Sequence, residues 1–160
     1  MRGTAMIGLV LVSHGNLADE FRGAVEHVMG PQQQMETIAI GPDDDIDTRG
    51  GDILAAAGRV DTGEGVIICT DMFGGTPSNL AIAAMGAREG VVEPSEANPD
   101  GVGIVPPDGG PIEVLAGMNL PMLVKLAGVR ARAALPECAL IGQEAGRKYI
   151  NVASRVLNGK

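Results

Sequence analysis

The chain has 160 residues, a net charge of −8, no Trp, one Tyr and two Phe. One compact domain with an aliphatic core fits that length and composition. A single-stranded nucleic-acid platform needs aromatic stacking and a basic face, and both are missing. No stretch approaches the ~20 apolar residues of a membrane span. The apolar run 6–12 is too short for a signal sequence and has no cleavage site behind it, so a cytoplasmic location is expected. The two cysteines, Cys69 and Cys138, make neither a disulfide framework nor a zinc site and read as small buried residues.

Residues 1–5 read as a loose leader. Met6–Val12 is a continuous apolar run, the pattern of a parallel strand covered on both faces. Leu17, Phe21, Ala24 and Val28 then recur at helical spacing, with Asn16 as candidate N-cap, Asp19 and Glu20 in the first turn, and Gly30-Pro31 as the stop. His27 falls near the end of that helix, where a cationic side chain suits the dipole, and is given a structural role. Met35–Ile40 is a second strand. Ile46, Ile53, Ala57 and Val60 mark a second helix, and Gly65–Thr70 a third strand. Thr76 as N-cap and Pro77 at the first helical position open a third helix with Leu80, Ala83, Ala84 and Ala87 inward.

Residues 89–111, rich in Pro, Gly and acid, break the rhythm and read as a long exposed loop. Strand four is expected at Ile112–Gly117. Asn119-Leu-Pro121 opens a fourth helix to about Ala133. A last helix is expected from about Glu137 to Leu157, with Leu140, Ala145, Val152 and Val156 inward. Four strand–helix alternations predict an α/β fold: a doubly wound, mainly parallel open sheet of four or five strands with helices on both faces. Sites in such sheets lie at the carboxyl ends of the strands, near the switch in strand order.

Those ends carry the polar interruptions of the pattern. Strand one ends in Ser13-His14-Gly15, strand three in Asp71-Met-Phe-Gly-Gly-Thr76, and strand four in Gly117-Met-Asn119. His14 alone reads as an idle loop histidine, and Asp71 alone reads equally as a turn acid or helix cap. Together they allow more: a carboxylate that accepts from one ring nitrogen fixes the tautomer and leaves the other as a nucleophile. Gly74 and Gly75 permit close approach of a ligand, Thr76 and Ser78 add hydroxyls, and helix N-termini favour an anion. A turn plus cap explains the same glycines and Thr76 without a ligand. No dinucleotide fingerprint or P-loop is present, so a nucleotide is not indicated. Met72 and Phe73 suit a transient partner surface, unless they are ordinary buried residues at a strand end. Asn119 stands at the neighbouring strand end and is counted with them as partner-binding.

With these residues in view, the chain resembles the mannose-type IIA component of the bacterial phosphoenolpyruvate-dependent sugar phosphotransferase system. The matching blocks are Ile7–Gly15, Val66–Asn79 and Glu113–Leu123. The strand-end His-Gly together with Asp-x-Phe-Gly-Gly-Thr-Pro is the specific signal. The resemblance implies a phosphotransferase, a histidine phosphocarrier that takes a phosphoryl group from the protein HPr onto His14 and passes it to a IIB partner. It implies that Asp71 orients the imidazole and that Gly15, Gly74, Gly75, Thr76 and Ser78 surround the phosphoryl group, with no metal and no cofactor. It also implies a homodimer with a short edge strand, placed here after Ala153 or inside the inserted loop. The whole chain, 1–160, then reads as one IIA-like domain with an insertion at about 89–111, and the acceptor is expected on a separate chain. Three other readings stay open. One is a cobalamin- or sirohaem-type metal chelatase, for which His27 is badly placed as a further ligand. Another is a histidine phosphatase, whose clamping arginine is replaced by Ser13. The third is a regulatory module with no onward acceptor.

Overall fold

A computed structural model describes residues 5–88 and 109–159. The elements run β1 (Gly8–His14), α1 (Leu17–Met29), β2 (Met35–Ile40), α2 (Ile46–Val60), β3 (Val66–Thr70), α3 (Thr76–Arg88), β4 (Ile112–Ala116), α4 (Leu120–Val129), α5 (Leu135–Lys148) and α6 (Ala153–Leu157). Among the described residues the sheet has four strands in the order β2-β1-β3-β4, and every pairing is parallel. The chain moves outward from β1 to β2 and then back across to β3. The switch in strand order therefore lies between the carboxyl ends of β1 and β3, where a crevice is expected.

Alternation along the strands supplies two cores. Leu9 and Leu11 of β1, with Ile67 and Cys69 of β3, pack under α1, α4 and α5 against Val25, Leu123, Leu126 and Cys138. Val10 and Val12, with Val66 and Ile68, pack under α2 and α3 against Ile53, Ala57, Ala81 and Ala84. Both faces are covered, so the strands carry unbroken apolar runs. Gly8 lets α2 close on β1: a β-carbon there would lie 2.5 Å from the Val60 carbonyl oxygen.

Several expectations are corrected. β1 does not stop at Val12, because Ser13 and His14 still pair with Ala39 and Ile40 of β2. α4 ends at Val129 rather than Ala133. Arg130 is there turned inward, donating to the carbonyls of Ile7, Gln33 and Gln34 and to the Gln32 side-chain oxygen. Burial lowers its guanidinium to about 10.

The long last helix is two helices, broken between Lys148 and Ala153. There the Asn151 amide donates to the Lys148 carbonyl, a local bond that competes with the helix ladder. Val152 and Val156 are exposed, as are Leu140 and Ala83. The inward face of α5 is built from Cys138, Ala139, Gly142, Ala145 and Gly146. A β-carbon on Gly142 would meet Leu126 at 2.6 Å, so α5 packs too close to α4 for leucines on that face. Ile46 at the start of α2 is likewise exposed. An edge strand after Ala153 is not found, because Ala153–Leu157 is helical. Of the expected leader at 1–5 and insertion at about 89–111, residues 1–4 and 89–108 lie outside the described residues.

The two ends of that insertion meet in one buried cluster. Arg88, the last residue of α3, donates to Asp61 at 2.9 Å and to the Gly110 carbonyl at 2.8 Å. Asp61 also accepts from the backbone N–H groups of Gly63, Gly65 and Gly110. The paired side chains are 6% and 4% exposed. Burial pushes the Asp61 carboxyl up, but the hydrogen bonds from these backbone groups and from Arg88 outweigh it and hold the group below its ordinary value of 3.8. A depressed carboxylate stabilises the fold above its ordinary titration range and loses that contribution as pH falls through its folded pKa. Arg88→Met leaves the carboxylate buried without its cation and is expected to cost about 3 kcal/mol. This is the low end for such pairs, since three backbone donors remain. Urea midpoints of variant and wild type should differ clearly at pH 7 and converge only as the pH falls below 3.8, through the folded-state titration of Asp61.

Candidate functional site

The site forms where β1 and β3 end side by side. The His14 ring is half exposed at 50%, and Asp71 beside it is 12% exposed. Asp71 Oδ2 accepts from the His14 backbone N–H at 3.1 Å and lies 2.8 Å from ring Nδ1. Asp71 Oδ1 accepts from the Met72 N–H at 3.1 Å. Burial pushes this carboxyl up, but the hydrogen bonds from the His14 ring and backbone prevail and lower it. An ionised carboxylate only accepts, so in the neutral imidazole Nδ1 carries the proton and Nε2 keeps the lone pair.

Ser13 sets the approach to the histidine. It is fully buried, accepts from the Ala18 N–H at 2.7 Å and donates to the Gly15 carbonyl at 3.0 Å. It therefore performs the capping expected of Asn16, whose side chain makes no cap bond. Gly15 turns the chain at φ 54°, and its N–H donates to the Ile40 carbonyl. The turn is tied to β2 on one side and to α1 on the other.

The glycine-rich loop after β3 closes on the ring. A β-carbon on Gly75 would lie 2.7 Å from His14 Cε1 and 3.1 Å from Nε2, so only glycine admits this approach. Gly74 has φ 91°. Its N–H donates to Ser78 Oγ, which donates in turn to the Gly75 carbonyl. The Ser78 hydroxyl is buried and committed to shaping the loop. α3 begins at Thr76 itself, with the Gly75 carbonyl accepting from Asn79 N–H, so Gly75 rather than Thr76 stands in the capping position.

A cleft of about 270 Å³ opens beside the ring, lined by His14, Gly15 and Thr76 on one side and by Asp44 and Arg49 of the β2–α2 junction on the other. It lies at the low end of the ~300–1,000 Å³ of drug-sized ligand pockets and has room for a phosphoryl group beside the ring. Asp44 accepts from the Gly41 N–H at 2.8 Å and from Arg49 Nε at 2.9 Å. The Gly41 bond first, then Arg49, lowers its carboxyl.

Met72 and Phe73 are exposed at 55% and 73%, beside the ring rather than in the core. Asn119 caps α4: its Oδ1 accepts from the Met122 N–H, and its Nδ2 donates to the Gly146 carbonyl. Both ends of its amide are thus used within the chain. His27 sits exposed in the last turn of α1. Among the described residues no three His, Cys, Asp or Glu side chains converge as a metal-holding group. None of their helices is long and apolar enough to cross a membrane.

Residues 8–95 match the family described as PTS system fructose IIA component, EIIA-man. The chain belongs to this family. It is 26% identical over 145 residues to the PTS system mannose-specific EIIAB component of Escherichia coli K12, covering 90% of this chain and 38% of that protein. The chain thus spans well under half the length of that relative. Its fold is that of phosphotransferase system component EIIA from Streptococcus agalactiae, with TM-score 0.73, 21% identity and coverage of 93% of this chain and 98% of that one. It is also that of a mannose/sorbose specific IIA subunit from Enterococcus faecalis, with TM-score 0.69, 22% identity and coverage of 92% and 94%.

In this IIA-family chain the sequence reading had selected the two site residues that touch, His14 and Asp71, and the Gly15, Gly75 and Thr76 around them. It missed Ser13, Asp44 and Arg49. The signal for Ser13 was a small hydroxyl five residues before a helical N–H. The signal for Arg49 was one cation in a run of acids, Asp43–Asp52.

Ser13→Ala strips the buried Ala18 N–H of its acceptor and should lower stability by about 1–2 kcal/mol in urea unfolding. Gly75→Ala should leave stability within about 1 kcal/mol, because the half-exposed ring can move aside. It should change the imidazole nitrogen shifts of His14 in NMR as the bond to Asp71 breaks.

Proposed function

We propose that this protein is a histidine phosphocarrier of the sugar phosphotransferase system. In this reading phospho-HPr donates the phosphoryl group to His14 Nε2, and a IIB partner receives it. The observation that carries the reading is the His14–Asp71 pair at the strand switch, with Nδ1 engaged by the carboxylate and the ring lining a small cleft.

The transfer balances simply. The Nε2 lone pair forms the new P–N bond while the P–N bond to the donor imidazole breaks, and its electron pair returns to the donor nitrogen. Nδ1 keeps its proton throughout, so the phosphorylated ring gains positive character. The Asp71 carboxylate lies 2.8 Å from that nitrogen and stabilises it. Phosphoryl transfer asks little covalent chemistry of the protein and depends on in-line placement and charge stabilisation. The loop glycines Gly15, Gly74 and Gly75 let the backbone approach the phosphoryl oxygens. Thr76 at the start of α3 offers its hydroxyl and the positive end of the helix dipole.

Met72 and Phe73 supply an apolar contact for a partner that must dock and leave. With net charge −8, the carrier would be steered toward a basic partner face. A cytoplasmic homodimer completes the proposal. β4 stands at one edge of the described sheet, with its residues after Ile112 only half-buried.

Incubation with phosphoenolpyruvate, Enzyme I and HPr, followed by intact mass measurement, tests this. One acid-labile phosphoryl group is expected on the wild type and none on His14→Ala. Asp71→Asn should accept it on the order of 10²-fold more slowly. An unmodified wild type beside phosphorylated HPr would sink the proposal.

A further inference from the structure

The third block of the cleft is built from a segment that the phosphocarrier motifs do not include. Arg49 lies in the first turn of α2 and lines the cleft together with His14, Gly15 and Thr76. A cation near a helix N-terminus is opposed by the dipole. It is held there by two carboxylates: Nε donates to Asp44 at 2.9 Å and Nη1 to Asp52 at 2.8 Å. A guanidinium presents five N–H donors in a planar fork. Among the described residues no hydrogen bond is made from Nη2. Two neighbouring acids are otherwise occupied: Asp45 accepts from the Thr48 N–H, and Asp71 is engaged with His14.

Gly50 and Gly51 follow Arg49 inside the helix. A β-carbon on Gly50 would meet only Leu80, at 3.8 Å, and one on Gly51 would meet nothing within 4 Å. No packing demands either glycine, and each weakens a helix by roughly 1 kcal/mol relative to alanine. The turn that carries Arg49 is thereby softened.

We propose that Arg49 is a phosphoryl-binding residue, whose guanidinium closes across the cleft onto the oxygens of phospho-His14. The inference rests on the phosphocarrier reading for its physiological meaning. In the resting protein Asp44 and Asp52 hold the guanidinium on the far wall. A phosphoryl dianion on Nε2 adds a third acceptor, and the unused edge of the fork turns to it. Charge-assisted contacts of this kind are strong, and arginine suits the planar array of phosphoryl oxygens. The consequence is a more stable phosphorylated state and a shifted equilibrium with the donor.

The test uses the whole chain phosphorylated on His14 by phosphoramidate, which needs no partner protein. The last ionisation of the phosphoryl group is then followed by phosphorus NMR. Arg49→Gln is expected to move that titration to higher pH by roughly half a unit to one unit, because an adjacent cation favours the dianion. Arg49→Lys should restore part of the shift. In the exchange with phospho-HPr, Arg49→Gln should lower the equilibrium fraction of phosphorylated carrier about three- to tenfold. Asp52→Asn removes one of the two resting ion pairs while keeping the guanidinium. It should leave the titration where the wild type has it or move it to lower pH.

Superimposable titrations for wild type and Arg49→Gln would overturn the clamp, as would an Asp52→Asn variant that behaves like Arg49→Gln. A wild type that takes phosphoramidate but nothing from phospho-HPr would overturn the carrier reading alone and leave the clamp to its own result. A His14 that takes neither would overturn both.

Discussion

The contact between Asp71 and His14 is the constraint around which the molecule is arranged. It needs two strand ends held in register, and parallel neighbours β1 and β3 supply that, since Val12 pairs with Thr70, two residues before His14 and one before Asp71. The carboxylate takes both the ring nitrogen and the backbone N–H of the same histidine. That double acceptance fixes where the ring starts as well as how it is turned. Everything nearby keeps this geometry from drifting. Ser13 pins the turn to α1, Ile40 pins it to β2, and Gly75 brings the loop against the ring. A sheet covered on both faces gives these turns a rigid base, and the chemistry is left to short loops.

The far side of the domain solves a different problem. The chain leaves α3 at Arg88 and returns at Gly110, and both ends are gathered on Asp61. Loop-closure entropy grows only slowly with length, so an insertion closed at its base adds little cost to the fold. Arg130 does a similar service at the amino-terminal ends of the strands, gathering carbonyls from the start of β1 and from the segment that leads into β2. Neither cluster lies at the carboxyl end where His14 sits. Stability and chemistry are divided between opposite edges of one sheet.

This division also explains what the sequence could disclose. Apolar runs covered on two faces are visible as runs, so all four strands and their order in the chain could be read. His14 and Asp71 were visible because each interrupts such a run at its end. Ser13 was not, since its role depends on α1 folding back over it, and the nearer Asn16 looked the better cap. Leu140 was placed inward because helical periodicity rewards large apolar residues. The true contact face of α5 is a stripe of glycine and alanine, which becomes meaningful only when α4 is known to lie against it. Val152 and Val156 continued the period across a break that the period itself does not record. Asn119 lay among strand-end polar residues and was grouped with them, though its amide is spent on capping α4. Arg49 sat in an acidic run that reads as a solvated surface, and only the closure of β2 beside β1 brings it to the cleft.

A carrier must hold its phosphoryl group firmly enough to receive it and loosely enough to give it up. A permanent, unpaired cation at Nε2 would favour the first and oppose the second. Here the cationic group is shared between two carboxylates on the far wall, so its attraction for an anion is partly spent before the anion arrives. On the near side, Asp71 would stabilise the positive ring of the proposed phosphorylated state through Nδ1. The same carboxylate also supports the neutral ring through the hydrogen bond it accepts, so its preference between the two states is moderate. In the proposed carrier, Asp44 and Asp52 would therefore act as a counterweight, reducing the depth of the phosphorylated well while Asp71 keeps its geometry. Relay chemistry would require that balance, and it accounts for a cleft whose one guanidinium is already held by carboxylates.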